Sequence, residues 1–118
     1  MDQLSENELH QLAMNTVGAS LEEQGFEFLA VNSTPKKDPQ FVCTKDKILR
    51  FVIVRHVRYP NNPKDFDKAL MDQVKEHAKK FKAKAYFAGV GFAHAEDYSK
   101  SLSKNEPYAT NFTGLQEV

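Results

Sequence analysis

The segment ILRFVIVRHVR, residues 48–58, combines the apolar pattern of a β-strand with a strong positive charge. It contains no acidic residue, and its charged or titratable side chains are Arg50, Arg55, His56 and Arg58. A guanidinium group presents a planar fork of donors that matches a carboxylate or a phosphate, and a protonated imidazole can support such a contact. The segment therefore indicates anion binding.

The alternation of a strand separates these side chains into two sets. Arg55 shares a face with Ile53, whereas Arg50, His56 and Arg58 have the other parity. A guanidinium group that is buried without a partner costs several kcal/mol, so we expect an anion beside Arg55. One alternative is an external carboxylate or phosphate. The other is an internal acid from the first third of the chain, which offers Glu22, Glu23 and Glu27.

A second group of candidate functional residues, which could bind a metal, follows a predicted strand. His94, Glu96 and Asp97 place three potential metal ligands within four residues. Their spacing at a strand end does not make them converge, and the chain has no zinc signature such as HExxH. We therefore predict a solvated cap with no metal or other cofactor, and these residues remain weak metal candidates. His10 and His77 have polar neighbours on helices, and we expect both on the surface.

Two amphipathic helices are predicted to position these residues. The first is SENELHQLAMNTVGASLEEQG, where Ser5 and Glu8 can form a capping box and Gly25 can end the helix. Its apolar stripe consists of Leu9, Leu12, Ala13, Val17 and Leu21. The second is DFDKALMDQVKEHAKKFKA, with an apolar face made of Phe66, Leu70, Val74, Ala78 and Phe81. Each helix has one face to bury against a sheet.

Four strands are predicted beside these helices. Their sequences are FEFLAVN, QFVCT, ILRFVIVRHVRY and KAYFAGVGFA. The order αβββαβ favours an α/β (α+β) fold, a three-layer sandwich with a mixed central sheet. We predict one domain over residues 1–97, followed by an irregular tail or arm over residues 98–118.

Composition places the chain among soluble globular proteins. Its 118 residues are 41% apolar and 27% charged, which is ordinary for one domain. The single cysteine, Cys43, cannot form an internal disulfide, and no apolar run approaches the roughly 18 residues of a membrane span. We therefore expect a cytoplasmic protein without a membrane partner.

The formal net charge of zero hides a strong asymmetry. Residues 1–35 contain six acids and no Lys or Arg, whereas residues 36–64 contain eight bases and two acids. The acidic helix of one copy could therefore meet the basic hairpin of another. This pattern suggests a homodimer.

Two stretches carry a resemblance to a known family. In SLEEQGFEFLAVN the landmarks are Leu21, Gly25, Phe26, Leu29 and Asn32, and they are followed by PQFVCTKDKILRFVIVRHVR. Over roughly Leu9 to Ala93, the chain resembles the restriction-endonuclease-like PD-(D/E)xK superfamily. It is most similar to YraN-type small proteins, which are related to Holliday-junction resolvases.

The resemblance implies metal-assisted phosphodiester hydrolysis, but the catalytic motif is degenerate here. The metal-binding aspartate falls on Gln40, the glutamate on Ile53 and the lysine on Arg55, while an acid of the first helix falls near Met14. Every carboxylate position has lost its charge, and an arginine stays protonated and cannot act as a base. We therefore expect a vestigial site and no conventional catalysis.

Three functional hypotheses follow. The first is a non-catalytic binding or protein-interaction domain on an endonuclease-like scaffold. The second is nucleic-acid binding without cleavage, with contacts drawn from Lys45, Lys47, Arg50, Arg55, His56 and Arg58 and extended by the lysines of KEHAKKFKAK. An isoelectric point near 6.9 argues against it. The third is a metal-dependent nuclease with relocated residues, namely Glu22, Asp46 or His94.

Overall fold

Residues 3–118 are described by a computed structural model, and they form two helices and six strands. In chain order these are α1 (Glu6–Glu23), β1 (Glu27–Val31), β2 (Phe41–Lys45), β3 (Ile48–Arg58), α2 (Lys68–Lys79), β4 (Lys84–His94), β5 (Tyr108–Asn111) and β6 (Gln116–Glu117). The first six follow the predicted order αβββαβ. The boundaries of β3 agree with the charged segment that the sequence singled out.

All six strands belong to one mixed sheet. The strand order is β1-β2-β3-β4-β5, and β6 pairs with another part of β4. β3 and β4 run parallel and are connected through α2, whereas the other neighbours run antiparallel. The predicted mixed sheet is therefore confirmed.

The two helices pack on opposite faces of this sheet, because β3 is apolar on both. Val52 and Val54 pack with the α1 side chains, whereas Phe51 and Ile53 face α2. All four side chains are buried. Each contributes about 1.5–3 kcal/mol to folding through the apolar surface that it removes from water. The result is the three-layer arrangement that the sequence predicted.

The ends of α1 agree with the local sequence signals. The Ser5 hydroxyl accepts from the Glu8 amide, and the Glu8 carboxylate accepts from the Ser5 amide, which is the predicted capping box. Gly25 follows the C-cap residue with a φ of 87°, in the left-handed region that glycine adopts without strain. Short-range chemistry thus fixes both ends of the helix.

The second helix is shorter than predicted, and its buried face differs. Asp67 is the N-cap residue, because its carboxylate accepts from the Leu70 amide. The fully buried positions are Met71 and Ala78, whereas Phe66 and Phe81 lie outside the helix and are exposed. The predicted face was therefore wrong at its two ends, where the helix does not extend to the aromatic residues.

The segment 98–118 is more regular than the sequence suggested. It contributes β5 and β6, which pair with the edge of β4 that is not bonded to β3. Leu102 is buried, and Ser103 forms a bridge with Gln3. Strands of four and two residues are too short for an alternating apolar pattern, so backbone pairing with β4 sets them in place and periodicity could not reveal them.

The loop between β3 and α2 lies directly on β4. A Cβ atom added at Gly89 would stand 1.7 Å from the carbonyl oxygen of Pro63, and one at Gly91 would stand 3.2 Å from the Pro63 ring. Glycine at position 89 is therefore what allows the loop backbone to approach the sheet. This contact closes the end of the α2 face beyond the helix.

Candidate functional site

The charged side chains of β3 do not form one surface. Arg50 and Arg58 are eight residues apart on an extended strand, a separation of about 26 Å. Arg55 lies on the face of Ile53, which is the α2 face. The predicted anion-binding set is therefore divided into three places: Arg55, the Arg50 end of the strand, and its His56–Arg58 end.

Arg55 binds an internal acid, and that acid is Asp38. Its two terminal nitrogens donate to the two carboxylate oxygens, each at 2.8 Å, and Nη1 also donates to the carbonyl oxygen of Val54. The side chains are only 22% and 16% exposed. This bidentate geometry is the strongest form of a guanidinium–carboxylate pair.

The predicted partners of Arg55 were wrong. Glu22 and Glu23 end α1, which packs on the other face of the sheet. Glu27 begins β1 and lies level with Thr44 and Leu49, six positions before Arg55 along β3. Asp38 reaches Arg55 because the loop between β1 and β2 enters β2 beside the far half of β3.

Gln40 connects this ion pair to the sheet. Its side chain is fully buried, Oε1 accepts from the Val54 amide at 2.7 Å, and Nε2 donates to Asp38 Oδ1 at 2.9 Å. Its backbone amide donates to Val52, and its carbonyl accepts from Asn32. Gln40 is thus a neutral residue whose side-chain hydrogen bonds hold the loop to β3.

The same contacts control the ionisation of Asp38. Burial acts to raise its pKa, but the hydrogen bonds from Arg55 and Gln40 and the positive charge of Arg55 act in the opposite direction. The net result is a pKa below the ordinary value. Asp38 is therefore held as a carboxylate that is already paired, and both of its oxygens are engaged within the chain.

Ile53 and Met14, the other two positions that the resemblance singled out, lie on opposite faces of the sheet. Ile53 is fully buried with Met71 and Phe87 on the α2 face, whereas Met14 belongs to α1 and is buried against the opposite face of the sheet. The structure does not bring Met14 together with Ile53 and Arg55. Across residues 3–118, there is no group of three or more His, Cys, Asp or Glu side chains arranged to hold a metal ion.

The weak metal candidates do not converge either. His94 is buried, its Nδ1 accepts from the amides of Glu96 and Asp97 at 3.2 and 3.4 Å, and its Nε2 contacts Glu106 at 2.5 Å. Because Nδ1 is an acceptor, the hydrogen is on Nε2. The hydrogen bond with His94 lowers the pKa of Glu106. The expected solvated cap was wrong for His94, whose partner Glu106 is twelve residues away.

At its carboxyl end, β3 meets the first turn of α1. Glu6 accepts from His56 Nε2 at 2.6 Å and also binds Arg58, whose Nη2 donates to the Leu4 carbonyl. The hydrogen bonds from His56 and Arg58 lower the pKa of Glu6. One link between the acidic and basic thirds of the sequence is therefore intramolecular.

His10 is a residue that the sequence misplaced. It is 2% exposed rather than on the surface, and its Nε2 has no hydrogen-bond partner within residues 3–118. Its ring centroid lies 6.3 Å from that of His56. Burial lowers the pKa of His10, and the charges of His56 and Arg55 lower it further, against smaller contributions from Ser33 and Asp38. His10 directly follows Leu9 and lies outside the predicted apolar stripe of α1, so the sequence gave no signal that it is buried.

His10 makes folding stability depend on pH. Because its pKa is lowered in the folded state, the unfolded chain binds a proton first as the pH falls below about 6.5. This contribution to stability is fully present above that pH and decreases towards the lowered pKa, by at most about 1.4 kcal/mol per pH unit. Urea unfolding of the wild type from about pH 8 to about pH 5 should show this decrease.

Two variants isolate the effect. His10→Leu should reduce the pH dependence of the unfolding free energy, because the buried titratable group is gone. Asn15→Leu places a leucine at an exposed position of the same helix, removes no titratable group and should retain the wild-type dependence. An unchanged pH dependence in His10→Leu would show that His10 does not carry it.

The hairpin end of β3 forms a separate basic cluster. The Arg50 guanidinium lies 5.0 Å from the Phe26 ring centroid and 5.9 Å from that of Tyr86, and its Nη1 donates to the carbonyls of Lys45 and Ile48. Lys45 also lies over Phe26, at 5.4 Å. Aromatic faces and backbone oxygens thus stabilise Arg50, with no carboxylate partner within residues 3–118.

Fold and site together define a small α+β domain whose mixed sheet lies between two helices, and whose central charged strand is paired largely within the chain. The chain belongs to the family described as domain of unknown function (DUF8840), whose model matches residues 7–118. No curated protein and no solved structure matches the chain. The matched region continues through β5 and β6, so the segment 98–118 is part of the family unit. Within residues 3–118, neither helix is long and apolar enough to cross a membrane.

Proposed function

We propose that this chain is a non-catalytic binding or protein-interaction domain on a restriction-endonuclease-like scaffold. The element order and the mixed sheet support the scaffold, which rests on the resemblance of the sequence to the PD-(D/E)xK superfamily. The observation that carries the proposal is the Arg55–Asp38–Gln40 network, which lies at the residues that the resemblance aligns with the superfamily's metal site.

The chemistry of that network argues against hydrolysis. A hard cation such as Mg²⁺ needs carboxylate oxygens that can exchange their partners for the metal and its waters. Here both Asp38 oxygens bind Arg55, and the Gln40 oxygen binds the Val54 amide. Ile53 offers no lone pair and is sealed under α2. A metal would have to break the network before it could bind.

A cleavage assay tests the proposal. The protein should leave branched and single-stranded DNA intact in the presence of Mg²⁺ or Mn²⁺, and calorimetric titration with MnCl₂ should give no binding heat. An Asp46→Asn variant serves as the control, because Asp46 lies in the hairpin turn and is one of the relocated-acid candidates. Cleavage that a chelator abolishes, and that Asp46→Asn or Asp38→Asn reduces, would overturn the proposal.

The relocated-nuclease alternative receives little geometric support. Asp46 lies at the β2–β3 turn, beside the amino end of β4, whereas His94 is the last residue of β4. Glu22 is an exposed residue at the end of α1. These three residues are therefore spread over both ends of the sheet.

Nucleic-acid binding without cleavage is a second candidate, and one observation favours it. The Arg50 cluster holds Lys45 and Arg50 over the Phe26 ring, and neither basic side chain has a carboxylate partner within residues 3–118. A basic cluster without carboxylate partners suits the phosphates of a single strand. In a gel-shift titration, binding should weaken steeply with salt, and Lys45→Gln/Lys47→Gln should reduce the slope. A flat salt response eliminates this candidate.

A cytoplasmic location fits the state of the only cysteine. Cys43 is buried and reduced in the β2 strand, and burial raises the pKa of its thiol. A protonated and inaccessible thiol reacts slowly and needs no oxidising compartment. Fractionation of cells that express the tagged chain tests this expectation.

A further inference from the structure

The edge strand β1 is open on one side and carries apolar side chains outward. Within residues 3–118 it pairs with β2 alone, and Leu29 and Val31 are 58% and 55% exposed. Leu29 has no partner in the β2 ladder, because the register shifts between Phe28 and Ala30. The opposite side of the sheet differs, since β5 and β6 cover β4 in two short pieces. An open edge with exposed apolar residues is a template for pairing with another strand.

A shallow groove continues this apolar surface towards α1. Its apolar lining includes Met14, Phe28, Val31 and Phe41, and its volume is about 400 Å³. Gly18 keeps the helix close to the floor of the groove, because a Cβ atom there would stand 3.3 Å from the Phe41 ring. The strand edge and the groove therefore form one exposed surface, which we call the β1 surface.

The charges at the two ends of β1 are opposite in sign. Acidic residues lie where the strand begins, and basic residues lie in the turn that follows its end. The acids are Glu22, Glu23 and Glu27, and the bases are Lys36 and Lys37. All five are exposed, and none forms an ion pair within residues 3–118. The β1 surface thus has one negative end and one positive end.

We propose that a second copy of this chain binds the β1 surface, with the two β1 strands antiparallel about a two-fold axis near Leu29. In this arrangement the acidic end of each copy meets the basic end of the other, so the complementary contact occurs twice. A parallel arrangement would bring like charges together. The inference rests on the proposed interaction function and names its partner.

This contact differs from the dimer that the sequence suggested. The acidic residue at the start of α1, Glu6, and the basic end of β3 are already paired within one chain. The three acids near the start of β1 form no ion pair within residues 3–118, and the proposed arrangement places them against the two lysines after the end of β1 in the other copy, not against its basic hairpin. The acid and base sets that meet in the dimer are therefore adjacent in sequence and separated by one strand.

Charge-reversal variants of this chain, measured alone and as a mixture, test the proposed arrangement. Light scattering coupled to gel filtration should give a dimer mass for the wild type. Glu23→Lys/Glu27→Lys and Lys36→Glu/Lys37→Glu should each raise the dissociation constant about tenfold, because each reverses the charge at one end of the strand. An equimolar mixture of these two variants should form a heterodimer, and combining all four substitutions in one chain should restore the homodimer.

Apolar variants complete the test. Leu29→Lys should give a monomer that still folds, with a melting temperature that no longer depends on protein concentration, because the side chain is exposed in the single chain. Tyr108→Lys, on the opposite edge, should remain a dimer. A monomeric wild type overturns the proposal, because the edge then has another partner or none. A dimer that survives Leu29→Lys, or an equimolar mixture of the two charge-reversal variants that stays monomeric, also overturns it. The cleavage assay tests the proposed function, and its result does not depend on the masses that test the dimer.

Discussion

Replacement of Asp38 by alanine should lower the free energy of unfolding by about 3 kcal/mol, because the variant leaves the Arg55 guanidinium largely buried without its counter-charge. It also removes the acceptor of the Gln40 amide. Urea denaturation at pH 7 measures the loss. A cost below about 1 kcal/mol would show that solvent satisfies Arg55 and that the network is not structural.

Two comparisons make this result specific. Asp72→Asn removes an exposed carboxylate that lies 3.8 Å from Lys68, and it should change stability by at most about 0.5 kcal/mol. The double variant Asp38→Leu/Arg55→Met should be more stable than Asp38→Ala, because it leaves no unpaired charge behind. A double variant less stable than Asp38→Ala would contradict this account of the pair.

Acidification should remove the stability that the Asp38–Arg55 ion pair provides. The pKa of Asp38 is lowered in the folded state, so the unfolded chain takes up this proton at a higher pH than the folded chain. The stability that the ion pair provides is present above the ordinary pKa of about 3.8 and is lost as the pH falls through the lowered value. As the pH falls, the loss of stability that comes from His10 should precede the loss that comes from Asp38.

Introduction of glutamate at Ile53 should have a still larger effect. This variant introduces the residue type that the resemblance implies for an active relative, but the side chain would lie fully buried with Met71 and Phe87. The expected loss is about 5 kcal/mol or more, which is comparable to the whole stability of a marginally stable domain, because a buried carboxylate loses its hydration and finds no partner. Circular dichroism and thermal melting of the purified variant measure this outcome.

Ile53→Val provides the matched control. It removes one methylene group from the same position and should cost about 1 kcal/mol. A folded Ile53→Glu protein that binds Mn²⁺ in a calorimetric titration would contradict the prediction. It would show that the α2 face can open into a metal site.

The sequence determined the local features of this protein. The Ser5–Glu8 capping box and Gly25 define the ends of α1, because a helix end is satisfied by residues within a few positions of it. The alternation of residues 48–58 predicted β3 and the shared face of Ile53 and Arg55. The absence of acids at Met14, Gln40 and Ile53, the positions that the resemblance aligns with catalytic carboxylates, was also visible without a structure.

Tertiary structure decided which residues meet. Asp38 binds Arg55 across seventeen positions, and Glu106 binds His94 across twelve, because loop paths and strand register bring them together. Burial of His10 depends on how α1 packs over β3, and β5 and β6 exist because the long strand β4 offers them a free edge. Periodicity states which side chains share a face. It does not state which loop crosses that face, and the loop crossing determines the chemistry of the site.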